Sequence, residues 1–388
     1  MSDETLENVL QNYGEDTTEL ILDERDIIGT IPPALGQMTN LVKLILNENQ
    51  LDGPIPPELG NLINLYKFHL TYNRLIGSIP PKLGNLTNLE SFSLEGNKLT
   101  GAIPPELGRL TNLVTFSLAD NKLTGAIPPE LGRLTNLRVL KLSHNQLTRP
   151  IPPELGNLTE LYYLGLNKNQ LKGSIPPELG NLINLQSIYL LDNLLTGVIP
   201  HQLGNLTKLE GLYLQNNQLI GNIPSELGRL INLFSLDLRN NRLTGVLPTS
   251  LSNLTELERL KLDNNRIVKI QLGTKFLGTY EGRDDIKELF KDMLSTTSGL
   301  RYIDQPTARS ETKPWKFRVP IPREVTRDKI LRYLQFGKII KPYKKHLSRV
   351  DDKGAYFNTR FGVQKLRDDE RGLYLKNGKG ARLYLYEW

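Results

Sequence analysis

The sequence predicts an α/β solenoid joined to a small α+β module, because a 24-residue period runs through it, each period holds a period-2 apolar pattern, and the period stops near residue 270. The unit LVKLILNENQLDGPIPPELGNLIN begins at Leu41 and recurs from Leu65, Leu89, Leu113, Leu137, Leu161, Leu185, Leu209 and Leu233, the last ending at Glu256. A degenerate unit from Thr17 to Asn40 precedes this series, and a truncated one from Leu257 to about Ile270 follows it, as terminal units that cap a stack should do. The chain therefore divides into an N-terminal capping segment 1–16, a solenoid 17–270 of about 10–11 repeats, and a basic module 271–388 with a proline-rich connector 305–322.

The unit reads LxxLxLxxNxLxGxIPxxLGxLxx, and each fixed letter has a physical job. Leucines such as Leu44 and Leu46, or Leu140 and Leu142, face inward from a short strand, and successive strands pair in parallel. The asparagine series from Asn49 to Asn265 sits where the chain leaves the strand. There its amides can form an internal ladder that satisfies buried backbone groups. The glycine of LxG permits a turn, Ile-Pro fixes an extended step, and the second proline of IPP suits the opening of a short helical turn. About seven inward apolar residues per unit, at roughly 1.5–3 kcal/mol each, give stacking enough force to offset chain ordering.

The repeat length and the IPPELGNL and LxGxIP motifs resemble the plant-type leucine-rich repeats of receptor-like kinase ectodomains and polygalacturonase-inhibiting proteins, over residues 17–270. The resemblance implies a right-handed superhelix with a parallel β-sheet lining its concave side and 3-10 or short helical turns on the convex side. Secreted members of the family usually carry cysteine-pair caps, and this chain has none. The C-terminal 118 residues carry no resemblance that we recognise.

The absence of cysteine removes disulfides, thiolate zinc sites and cysteine nucleophiles, and fits a reducing compartment. The segment MSDETLENVLQNYGEDTTEL has acidic residues where a secretory signal carries basic ones, so the expected localisation is cytoplasmic. A secreted receptor-like or inhibitor role is the alternative if an upstream signal peptide has been trimmed. Sequons at Asn85, Asn157, Asn205 and Asn253 fall within the repeat consensus and arise without selection for a sugar. The net charge of +6 hides two halves: residues 271–388 hold 26 Lys and Arg against 15 Asp and Glu, whereas residues 1–270 hold 22 against 27.

Units 89–112 and 113–136 differ only at Glu90/Val114, Ser91/Thr115, Glu95/Ala119 and Gly96/Asp120, positions expected to face outward from the strand. A fixed scaffold with a variable strand surface points to binding on that surface. Its outward positions carry Tyr66, His69 and Tyr72 in one unit, then Tyr162, Tyr163, Tyr189, Tyr213 and Phe234 in four consecutive units. At about 4.8 Å per strand these rings are expected to form one contiguous patch, flanked by Arg138, Lys141 and His144 on one side and by Asp237, Arg239, Arg259 and Lys261 on the other. Exposed Tyr with Arg is the composition of a protein-binding hot spot. Strand surfaces also favour tyrosine for its own sake.

In the module, IKELFKDML (286–294) and TRDKILRYLQFGK (326–338) have helical patterns, and AYFNTRFGVQKL and GLYLKNGKGARLYLYEW suggest three short strands, the last two joined at Asn377-Gly378. Lys341, Lys344, Lys345, Arg349, Lys376, Lys379 and Arg382, near several aromatics, are candidate contacts for a nucleic acid or another acidic surface. No phosphate loop, GxSxG elbow or HxxxH pair is present, so the expected function is a non-enzymatic scaffold with no cofactor or metal. That scaffold binds a protein partner through its concave face, in signalling or defence. The alternative is a reader of RNA or DNA through the C-terminal module.

Overall fold

A computed structural model describes residues 4–267, 279–281 and 285–286, together with six strands between 347 and 387. In the repeat region one three-residue strand per unit, from Glu19–Ile21 to Arg259–Lys261, lies in a single sheet in chain order. All of these strands are parallel, and Thr279–Glu281 adds antiparallel to the last. Register matches each residue with its equivalent 24 positions on, as Tyr189 with Tyr213, so every outward row of the sequence becomes a row of neighbouring side chains. The inward leucines are fully buried, and Phe68, Phe92 and Phe116 replace them in three consecutive units as a stack with centroids 5.4 and 5.5 Å apart. At the N-terminal end the helix Leu6–Leu10, capped by Thr5 Oγ1, buries Leu6 and Val9.

Ten 3-10 turns, from Pro33–Gln37 to Thr249–Asn253, return the chain to the sheet, one per unit. In seven of them the second proline opens the turn, but His201, Ser225 and Thr249 stand in its place in the last three and the turn persists. The first proline, as at Pro200 with φ −63° and ψ 131°, is what fixes the entry. Consecutive turns touch at a glycine: a Cβ on Gly132 would strike the carbonyl of Glu154. In the last of these turns Ser252 takes the glycine's place, where none of the ten follows to crowd it.

The LxG segment is more than the turn expected of it. Its glycines have positive φ, 77° at Gly101, yet the residues around them pair in parallel from unit to unit, as Gln146 with Thr124 and Lys172 with Leu194. The extended Ile-Pro step lines up equivalent backbone groups in register, and those groups must pair, so a second, discontinuous sheet forms. The asparagine ladder forms as expected. Asn145 donates to Leu118 O, Leu142 O and Ser143 O and accepts from Leu123 N, and the pattern repeats to Asn265. A second, exposed ladder, absent from the sequence reading, links Asn112 to Thr87 O and Asn136 to Thr111 O at 2.9 Å.

A second compact unit holds most of the remainder. It contains two three-stranded antiparallel sheets, Leu347–Asp351, Gly354–Thr359 and Gly362–Lys365 in one, Arg367–Asp369, Gly372–Lys376 and Arg382–Glu387 in the other. Three strands were expected. The AYFNTRFGVQKL pattern breaks into two strands that pair with each other, while the expected final hairpin is present. The helical patterns 286–294 and 326–338 and the connector 305–322 lie outside the described residues, apart from helical Asp285 and Ile286.

Candidate functional site

The aromatic residues of the concave strands fall into separate groups. Tyr163, Tyr189 and Tyr213 come together: centroids are 5.3 Å apart and planes tilted by 37° for the first pair, and 4.7 Å apart and stacked with planes nearly parallel, at 7°, for the second. Two glycines make this possible. Gly165 and Gly211 sit two residues from Tyr163 and Tyr213 on the same strand face, and a Cβ there would stand only 3.0 Å from Tyr163 Cε1 and 2.7 Å from Tyr213 Cε2. The rings of Tyr163 and Tyr213 lean along their strands over these glycines, and the three rings pack against one another from unit to unit as one continuous strip three units long. Burial, then the neighbouring ring, raises the pKa of Tyr163 and Tyr189 above the usual phenol value of 10.0, so these two rings are uncharged at neutral pH.

Phe234 does not continue this row, a correction to the single patch expected. It lies just ahead of the strand Ser235–Asp237, three residues before Asp237, which continues the row of Tyr189 and Tyr213, and its ring faces the Arg259 guanidinium at 5.3 Å. Tyr162 is exposed beside Tyr163. Asp237, in register with Tyr213, is 4% exposed by side-chain neighbours that include Arg239, whose Nε and Nη2 donate to its two oxygens at 3.0 and 2.6 Å. Together they close the C-terminal side of the strip with a neutralised pair.

Toward the N-terminus the hub is Glu95, noted in the sequence as a position of difference between the twin units and not as a candidate site residue. It accepts from Tyr72 Oη at 3.2 Å and Ser117 Oγ at 2.7 Å, and Lys141 Nζ lies 3.9 Å away and 6.0 Å from the Tyr163 ring. Its signal was its replacement by alanine in the twin unit, where Ala119 is buried, unlike the outward placement expected of it. Tyr72 is exposed on a backbone with φ 51°. His69 Nε2 lies 2.7 Å from Ser91 Oγ, and burial first, with Lys67 second, lowers its pKa. Tyr66 is held between Lys43 and Lys67 at 5.6 and 5.9 Å. His144 pairs with Asp120, and Arg138 lines a polar groove with Glu90 and Glu160.

Of the basic candidates in the C-terminal unit, Arg349, Lys376 and Arg382 lie on strands, the last two directly opposite each other. Lys341, Lys344, Lys345 and Lys379 fall outside the described residues. Among the described residues no group of acidic, histidine or cysteine side chains is arranged to hold a metal, and no helix is long and apolar enough to cross a membrane.

Family models for leucine-rich repeats match residues 40–62, 63–123, 111–157, 160–182, 184–206, 208–230 and 232–254. The chain belongs to the leucine-rich-repeat family. Among solved structures it is similar to a TDR receptor, at 36% identity and a TM-score of 0.61, covering 62% of this chain and 42% of that one. It is similar to the ectodomain of the Arabidopsis receptor kinase HAESA in complex with an IDA peptide hormone, at 37% identity and a TM-score of 0.59, covering 64% of this chain and 42% of that one. A leucine-rich-repeat protein of Leptospira interrogans matches at 36% identity and a TM-score of 0.53, covering 62% and 59%. This leucine-rich-repeat chain thus spans about two fifths of the length of the TDR receptor and HAESA chains. A comparison with curated proteins finds no match. The receptor likeness gives no support to the cytoplasmic expectation, since the HAESA structure is of an ectodomain.

Proposed function

We propose that this leucine-rich-repeat chain is a non-enzymatic binding scaffold that holds an extended segment of a protein or peptide partner on the concave strip of Tyr163, Tyr189 and Tyr213. The carrying observation is that three exposed-face tyrosines pack against one another over glycines as one continuous strip. Rings seated over Gly165 and Gly211 are immobilised before any partner arrives, so little side-chain entropy is lost on binding. Tyr163 and Tyr189 keep their protons at neutral pH and offer an apolar face with polar edges, the character of hot-spot residues. The likeness to HAESA, whose structure holds a peptide hormone, supports the same class of partner.

The test is to pan a phage-displayed library of linear 12-residue peptides against the full chain. The reading requires peptides whose binding falls at least tenfold on Tyr189→Ala/Tyr213→Ala, with the solenoid intact by circular dichroism. Recovery only of peptides indifferent to that change refutes it.

A further inference from the structure

Beside the ring strip, Gln215 presents an unsolved hydrogen-bonding problem. It lies two residues beyond Tyr213 on the same outward face, is 9% exposed, and its Oε1 is the one buried side-chain polar atom among the described residues without a hydrogen-bond partner. The equivalent position in neighbouring units is filled by Leu191, which needs no partner, and by Arg239, committed to Asp237. An unpaired buried acceptor disfavours the free state, typically by about 1–3 kcal/mol, and a ligand that supplies the donor recovers that penalty. The last torsion of a glutamine is broad, so the amide can reorient toward a ligand without the backbone moving.

We infer that Gln215 is the specificity-determining acceptor of the site: it takes a backbone N–H from a peptide whose adjacent aromatic or proline side chain lies on the Tyr189 and Tyr213 rings. The inference rests on the proposed peptide-binding role of the strip. A backbone donor fits best because one acceptor beside a long apolar platform matches a chain that repeats one N–H per residue along a run of side chains. A pyranose would present several hydroxyls together and ask for more than one partner. Asp237, paired on both oxygens with Arg239, is not placed to serve a second hydroxyl.

The experiment uses the full chain and a strip-dependent 12-residue peptide selected as above, synthesised with a methyl group placed on each backbone nitrogen in turn. On the wild type, one methylation is expected to weaken binding about tenfold more than the rest. On Gln215→Leu that position should cost no more than its neighbours, and on Gln215→Glu, which keeps an acceptor, the penalty should persist. Gln215→Leu should also melt at or above the wild-type temperature, since it removes an unpaired buried oxygen. If the peptides bind and depend on Tyr189 and Tyr213, yet the methylation profile is the same on wild type and Gln215→Leu, the role of Gln215 is overturned while the strip stands. If no selected peptide depends on the rings, or if arrayed glycans bind the strip instead, both readings fall.

Discussion

At the scale of single residues, the two asparagine rows show how burial sets the worth of the same side chain. Asn145 satisfies four backbone groups in the interior, whereas Asn136 donates one exposed bond to Thr111 O. Asn145→Ala should therefore lower unfolding free energy by about 3 kcal/mol and Asn136→Ala by less than about 1 kcal/mol, measured by denaturant melts. The inner row was legible, because a fixed Asn after a strand has few other uses. The outer row was hidden in LTNL, which reads as surface polarity until the neighbouring turn is in place. His69 carries a pH signature. Its folded pKa lies below 6.5, so the unfolded chain binds more protons in that region, and the stability it contributes is present above about pH 6.5 and is lost as pH falls below it. A melt series from pH 7.5 to 5 should show wild type losing more stability than His69→Gln. Equal slopes would show that His69 titrates as freely in the fold as in the unfolded chain.

At the scale of elements, spacing between units governs what the sequence could reveal. The strand, the turn-opening proline and the inward leucines follow from local rules and were legible in any one unit. The second sheet and the clash-avoiding glycines are properties of two units in contact, and periodic identity alone does not say how closely neighbours approach. Gly132→Ala places a methyl against the Glu154 carbonyl and should cost about 1–3 kcal/mol in the same melts, whereas Ser252→Ala, where none of the ten turns follows, should be near neutral. The C-terminal unit was read as three strands and six are described: Leu347–Asp351 and Arg367–Asp369 lie outside the two alternating patterns, and AYFNTRFGVQKL divides into two strands, because alternation marks extended chain and does not mark where one strand ends and the next begins.

At the scale of the whole molecule, the repeat turns a linear list of outward residues into a surface, and that surface was only partly predictable. Register sets Tyr189 beside Tyr213 but places Tyr163 opposite Ser187, and Tyr163 joins the strip because its ring leans along the strand over Gly165. The separation of Phe234 follows from its place just ahead of the strand Ser235–Asp237, and the lean of the Tyr163 and Tyr213 rings depends on Gly165 and Gly211, whose meaning appears only beside the tyrosines. The central claim is that the concave strip, and not the second sheet, is where this leucine-rich-repeat protein meets its partner. Its most direct test is photo-cross-linking in the native cell, with a benzophenone amino acid placed at Tyr162, exposed beside the strip, or at Thr124 on the second sheet. The account predicts a discrete cross-linked species from position 162, abolished by Tyr189→Ala/Tyr213→Ala, and none from position 124. A discrete adduct from position 124 with none from 162 would contradict it.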